Sequence, residues 1–135
     1  MENKIIIDGT NATLGRLASY AAKQALLGKE IIIVNAGNVV IVGRKEDIVS
    51  KHKEMIKKGG SSQKGPIIIR NPERILKRTI RGMLPHKQDR GRKALNKIMC
   101  YNEVPEEYKG IKKIVAGKEK RGKFITLNQL VELIK

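Results

Sequence analysis

Cysteine, aromatic and acidic residues are all scarce in this chain, and each scarcity removes a class of function. One cysteine, Cys100, among 135 residues permits no internal disulfide and no multi-cysteine metal site, a usage that fits a reducing compartment. With Ile98, Met99 and Tyr101 around it, Cys100 reads as a packing residue of a buried strand. The aromatic residues are Tyr20, Tyr101, Tyr108 and Phe124, too scattered to form the stacked-base platforms of single-strand binders. Only 13 acidic residues are present, and no carboxylate pair stands out for acid–base chemistry. No apolar run approaches the roughly 18 to 20 residues needed to span a bilayer. Glu2 and a strand-like segment open the chain in place of a basic, apolar signal peptide. These absences point to a cytosolic protein without a membrane partner.

Sites for small molecules are equally thin. Gly9 and Gly15 enclose five residues after a strand, but Arg16-Leu17 stands where a phosphate-binding loop requires Lys-Ser/Thr. The two histidines lack clustered Cys, Asp or Glu at metal-ligand spacing. His52 falls on the apolar side of a helix and reads as boundary packing, whereas His86, in a basic loop, suits an RNA or backbone contact better than a catalytic base. No serine sits in a nucleophile elbow. The expectation is no enzyme, no cofactor, no metal and no small-molecule substrate. A dispersed active site in an RNA-modifying enzyme stays open as the rival reading, and a general nucleic-acid-binding protein as the third.

What the chain has in abundance is positive charge: 29 Lys and Arg against 13 Asp and Glu, a net +16. Self-repulsion of that size calls for a polyanion, nucleic acid before membrane. Half of the surplus falls between Arg70 and Lys97, where Arg70, Arg74, Lys77, Arg78, Arg81, Lys87, Arg90, Arg92, Lys93 and Lys97 face only Glu73 and Asp89. Arginine dominates there, and its planar fork binds phosphate oxygens in pairs as an ammonium cannot. A second block holds Lys112, Lys113, Lys118, Lys120, Arg121 and Lys123 against Glu119, and Gly117 and Gly122 let it bend around a partner. Recognition should rest on phosphates, 2′-hydroxyls and RNA shape. Six to ten phosphate contacts would cost a free domain about 10³- to 10⁵-fold in affinity between 50 and 200 mM salt.

The apolar pattern predicts a layered α/β domain. Lys4 to Asp8 reads as a buried strand closed by Gly9, Thr10 and Asn11. A helix from about Thr13 carries Leu14, Leu17, Ala18, Ala21 and Ala25 on one face and stops at Gly28. Ile31 to Val34 reads as a strand covered on both faces. Val39 to Val42 follows too closely for an ordinary parallel crossover, so the two runs form a hairpin or an unusual connection. Lys45 to Lys58 predicts a helix with Ile48, Val49, Met55 and Ile56 inward, and Gly59 to Pro66 a polar internal loop. Pro72 opens a third helix to about Arg81, with Ile75, Leu76 and Ile80 apolar and Met83 and Leu84 extending that face to Pro85. Arg74, Arg78 and Arg81 form one stripe along it. His86 to Arg92 reads as a polar stretch, Lys93 to Lys97 as a possible short helix, and Ile98 to Tyr101 as a strand. Thr126 to Gln129 spells a capping box before a last helix with Leu127, Leu130, Val131 and Ile134 on one face.

Several segments together closely resemble the uL13 family of large-subunit ribosomal proteins. They are Leu14-Gly15-Arg16-Leu17-Ala18-Ser19, Leu26-Leu27-Gly28-Lys29-Glu30 running into Val34-Asn35-Ala36, Val42-Gly43-Arg44-Lys45, and Arg78-Thr79-Ile80-Arg81-Gly82-Met83-Leu84-Pro85. The order and spacing match from about residue 4 to 108. Gly65-Pro66 before Arg70-Asn71-Pro72, and Arg90-Gly91-Arg92-Lys93-Ala94-Leu95, resemble the archaeal branch. The resemblance implies a three-layer α/β/α domain with a central, largely parallel four-stranded sheet; it weakens after Glu107, and charge and periodicity add basic loops, a basic extension from about residue 109 and a C-terminal helix, all within one domain over residues 1–135. The resemblance also implies a structural, non-enzymatic part of the large ribosomal subunit that binds 23S-type rRNA, adjoins other ribosomal proteins and supports assembly. The candidate RNA contacts are Arg16, Arg44, Lys45, Lys57, Lys58, Lys64, Arg70, Arg74, Lys77, Arg78, Arg81, Gly82, His86, Lys87, Arg90, Arg92, Lys93, Lys118, Lys120, Arg121 and Lys123, with Gly82 allowing close approach of backbone to RNA.

Overall fold

β-branched runs set the centre of the molecule. In the computed structural model, which describes residues 4–57, 71–111, 113–115 and 123–134, β1 (Lys4–Asp8) and β2 (Glu30–Val34) pair in parallel from Lys4↔Glu30 to Asp8↔Val34. The strand β4 (Ile98–Cys100) lies parallel on the other side of β2. A two-residue strand, β5 (Ile114–Val115), pairs in parallel with the end of β1. Side chains alternate across the sheet. Ile5, Ile7, Ile31, Ile33 and Ile98 join one core cluster, while Ile6, Ile32 and Val34 join a second, smaller one with Tyr108.

The larger cluster takes the apolar faces of all five helices: α1 (Leu14–Leu26), α2 (Lys45–Lys57), α3 (Pro72–Gly82), α4 (Asp89–Asn96) and α5 (Leu127–Ile134). Among the described residues the opposite face is covered by Tyr101, Val104 and Tyr108, beside a 3₁₀ turn at Glu106–Tyr108, instead of by a helix. The alanine-rich face of α1 carries buried Ala18, Ala21, Ala22 and Ala25 beside Leu17. Gly28 has φ +96° and ends the helix. Its N–H donates to Ala25 O (3.0 Å), and the Lys29 N–H donates to Gln24 O (3.2 Å), the paired bonds that close a helix over a left-handed residue.

Of the four apolar runs that read as strands, one leaves the sheet. Neither the hairpin nor any pairing between the second and third runs forms. After β2, Asn35 turns into the left-handed region at φ 56° and a 3₁₀ turn, Ala36–Asn38, redirects the chain. The strand β3 (Val40–Val42) then pairs antiparallel with β6 (Phe124–Thr126), from Val40↔Thr126 to Val42↔Phe124. The Val40 N–H also donates to Ala12 O (2.8 Å), which docks this ribbon at the start of α1. Residues 124–134 are thereby part of the core: Leu127, Leu130 and Ile134 are buried in the main cluster. The capping box forms as spelled, Thr126 N–H to Gln129 Oε1 at 3.0 Å and Gln129 N–H to Thr126 Oγ1 at 3.2 Å.

Three expectations need correction. The polar stretch before Lys93 is already helical from Asp89, because tertiary packing outweighs the glycine in its first turn. Met99 is 44% exposed, because β4 is an edge strand. Met83 is 43% exposed, because α3 stops at Gly82 and the next residues turn: Met83 N–H donates to Ile80 O (2.9 Å) and Leu84 N–H to Arg81 O (3.1 Å). Leu84 alone returns to the core.

Gly91 shows why α4 tolerates glycine. A Cβ there would collide with the Pro85 carbonyl and lie 2.8 Å from the His86 nitrogen. Alanine in an ordinary helix stabilises by about 0.5–1 kcal/mol over glycine, but here overpacking should cost about 1–3 kcal/mol. Gly91→Ala is therefore expected to lower the thermal unfolding midpoint followed by circular dichroism; a raised midpoint would show that α4 is not seated on the Pro85 turn.

Candidate nucleic-acid interface

The arginine stripe starts with Pro72, whose missing N–H costs nothing in the first helical turn, where that donor would have no partner within the helix, after Asn71 in extended conformation. From there Arg74, Arg78 and Arg81 recur at helical spacing and are exposed, while Leu76 and Ile80 on the opposite side are fully buried. The basic face is thus held by an apolar anchor on the same helix. Glu73 in the first turn and Arg81 in the last complement the helix dipole. Lys77 is half-buried, at the edge of the stripe.

Beyond Gly82 the chain wraps back. His86 is half-buried, and its Nδ1 lies 3.2 Å from Arg81 O, so a backbone contact holds this loop to the end of α3. Lys87 is exposed in the turn, and Arg90, Arg92 and Lys93 are exposed on α4, with Arg92 paired to Asp89. Both α3 and α4 pack on α1. The cations of residues 74–93 therefore project from two helices fixed to one support. Gly82 is exposed, and a Cβ on it would meet nothing within 4 Å. The fold itself gives no reason for glycine at that position.

A second group forms where the sequence shows two distant segments. Arg44 and Lys45 stand at the start of α2, with Arg44 Nε 3.7 Å from Asp47. The Gly43 N–H donates to Lys123 O (2.8 Å), so Lys45 and Lys123 come to line one cleft of about 640 Å³. Arg16 is exposed in the first turn of α1. His52 is half-buried on α2, its Nδ1 3.0 Å from Ile48 O, in the packing role expected. Lys58, Lys64, Arg70, Lys118, Lys120 and Arg121 lie outside the described residues, as does the side chain of Lys57.

Among the described residues no charged or polar residue is buried. The ion pairs Lys4–Glu30 and Arg44–Asp47 are exposed and contribute little each. Even if every acid were paired, the net charge of +16 would stay unmatched. Such a surface repels itself and attracts a polyanion. No group of three or more His, Cys, Asp or Glu that could hold a metal occurs among the described residues, and no helix there is long and apolar enough to cross a membrane.

These features coincide with a sequence family. The family model described as ribosomal protein L13 matches residues 2–107. The chain belongs to the ribosomal protein L13 family. Among its L13 relatives, "Large ribosomal subunit protein uL13" of Picrophilus torridus is 43% identical over 133 residues, covering 96% of each chain. The protein of that name from Archaeoglobus fulgidus is 47% identical over 105 residues, 78% of this chain and 67% of its own. That from Haloarcula marismortui is 37% identical over 132 residues, 96% of this chain and 90% of its own. The L13 family match ends at residue 107, whereas the Picrophilus and Haloarcula alignments, each over 96% of this chain, and the fold run further, through β6 and α5.

Sequence reading missed one polar device of this L13 fold. Asp8 Oδ1 accepts from the Thr10 N–H (3.0 Å) and from the Asn35 amide (3.1 Å), tying the tips of β1 and β2 together where α1 begins. Burial pushes the Asp8 carboxyl up, but hydrogen bonds from Thr10 and Asn35, with Lys113 nearby, outweigh it and hold its pKa below the usual value. An Asp two residues before a Thr at a strand end was the available signal.

Cys100 is half-buried, and burial pushes its thiol up to about 12. The folded chain should resist iodoacetamide at pH 8 and be alkylated rapidly in denaturant. Because the folded pKa lies above the ordinary value near 9, the thiol should also withdraw stability as pH rises from 9 towards 12. Equal alkylation rates in folded and unfolded chains would remove Cys100 from the packed interior.

Proposed function

We propose that the chain is a structural, non-enzymatic constituent of the large ribosomal subunit, in the cytoplasm, which binds large-subunit rRNA and supports subunit assembly. The relatives' shared name and the +16 charge support this reading. The observation that carries it is the α3 face: Arg74, Arg78 and Arg81 outward, Leu76 and Ile80 in the core. A rigid row of guanidinium groups fixes register on a phosphate backbone, since phosphate contacts position without reading sequence. The turn to Lys93, Arg16, and the Arg44–Lys45–Lys123 group extend that surface to other RNA segments. Lys57, Lys58, Lys64, Arg70, Lys118, Lys120 and Arg121 complete it, and other ribosomal proteins adjoin it.

The finer architecture belongs to the same proposal: one domain, with a four-stranded, three-layer arrangement in which β5 takes the fourth position and the segment carrying Tyr101 and Tyr108 contributes to the far layer. Gly82 fits as a point where RNA comes closer than a side chain would permit, and the empty space around its Cβ position supports this.

Changing Arg74, Arg78 and Arg81 together to glutamine should leave circular dichroism and thermal unfolding nearly unchanged. In cells expressing variant and parent chains, the variant's share in gradient-purified large subunits should fall by about tenfold or more, given several lost phosphate contacts. Equal incorporation would remove α3 from the interface. Gly82→Leu should behave likewise, folding normally yet entering subunits poorly; normal entry would leave no RNA near Gly82.

A further inference from the structure

The two sides of the central sheet differ in charge as well as in cover. The basic helices α3 and α4 belong to the side of the larger core cluster. On the other side, the stretch from Ile98 to Tyr108 contains no lysine or arginine and carries Glu103, Glu106 and Glu107. All three glutamates are exposed. Of the cations that bound the stretch, Lys97 donates to Gly28 O (3.4 Å), and Lys109 follows Tyr108. Lys4, on the same face of β1, is matched by Glu30 at 4.0 Å and by the Tyr108 ring at 5.8 Å. In a chain of net charge +16 this is a local reversal of sign, and it repels a phosphate backbone.

Beside its acids the same face is apolar. The register Ile32↔Met99 puts Met99 on the face of Ile6 and Ile32, at a sheet edge where it is 44% exposed. Tyr101, Val104 and Pro105 are half-buried, and with Asn102 and Glu103 they line an open cleft of about 320 Å³. The acids are spread along the stretch: among the described residues no three acidic, His or Cys groups stand close enough to hold a metal ion. An extended chain bearing several cations meets such an array better than one ion does. A lysine or arginine side chain fits both parts, because its aliphatic stem lies on apolar surface while its head reaches a carboxylate. Exposed ion pairs hold weakly one by one, so the apolar contact supplies the grip and the charges select the partner.

Resting on the ribosomal reading above, we infer that this face, from Met99 across the Tyr101–Pro105 cleft to Glu106, docks a lysine- or arginine-rich segment of another large-subunit protein. The chain then meets RNA and protein on opposite sides of one sheet. The sign of the charge decides between the two occupants: the helices that carry the arginine stripe attract phosphate, and the stretch that carries Glu103, Glu106 and Glu107 turns it away.

Large subunits purified from cells grown on photo-methionine are irradiated, and adducts at position 99 are identified by mass spectrometry. The inference predicts a bond to a lysine- or arginine-rich peptide of another protein. An adduct to RNA, to an acidic or uncharged peptide, or to a second copy of this chain overturns it, as does the lack of any adduct there. In the same subunits, carbodiimide with glycinamide should label Glu103 and Glu106 much more slowly than in the isolated chain. Equal labelling rates mean a face open to solvent and overturn it.

The isolated full chain separates this inference from the ribosomal reading. It is titrated, under nuclear magnetic resonance, with a short peptide alternating lysine and leucine and with a lysine–glycine peptide of equal charge. The lysine–leucine peptide should shift the Met99 methyl and the amides from Tyr101 to Glu106. Changing Glu103→Gln and Glu106→Gln together should weaken its binding by about threefold or more and leave circular dichroism unchanged. Equal shifts with both peptides mean charge alone, and shifts confined to other residues mean another site; either overturns the inference. If the chain is missing from the subunits altogether, the ribosomal reading fails, while the titration still decides whether this face takes a cationic segment.

Discussion

The contact between α1 and the β1–β2 pair fixes the position of everything else. Ile5, Ile7, Ile31 and Ile33 lie on one face of the sheet, and α1 meets them with alanines, which let helix and sheet approach closely. Both α3 and α4 then pack on α1, and the β3–β6 ribbon docks at its first residues through Val40 and Ala12. Each basic segment in the described structure is therefore one contact removed from the same support. Loosening α1 would scatter the cations, even though α1 itself carries few of them.

Charge sets the second constraint. A surplus that the chain cannot neutralise internally must stay at the surface, and no charged residue among those described is buried. Amphipathic helices solve the conflict by placing Leu76 and Ile80 inward and the arginines outward on α3. Burial energy spent on one side of the helix thus fixes guanidinium groups on the other, and less side-chain and backbone order remains to be imposed when RNA binds. On the proposed reading, the same arrangement gives a well-packed core its purpose, since the core sets the geometry of the charges.

Local signals in the sequence were legible and distant ones were not. Gly28 after an alanine-rich helix, Pro72 at a first turn and the Thr126–Gln129 box each state their structure within a few residues. The stripe on α3 followed from spacing alone. The fate of Val40–Val42 did not, because its partner is β6, three residues adjoining a basic block far along the chain. For the same reason Lys45 and Lys123 looked like members of separate segments, and Phe124 like an isolated aromatic. The start of α4 was hidden by Gly91, whose value lies in contact with Pro85 and not in helix propensity. Exposure of Met83 and Met99 depended on where a helix ended and which strand lay at the sheet edge.

The central claim is that this L13-family chain is an integral, RNA-seated part of the large subunit. Sedimentation of source-cell lysate through a sucrose gradient, followed by a high-salt wash of the large-subunit fraction, tests it most directly. The account predicts that the chain stays with the subunit after the wash, since many contacts to folded RNA must be broken together. Release of the chain to the light fractions would contradict it and leave a transient nucleic-acid binder in its place.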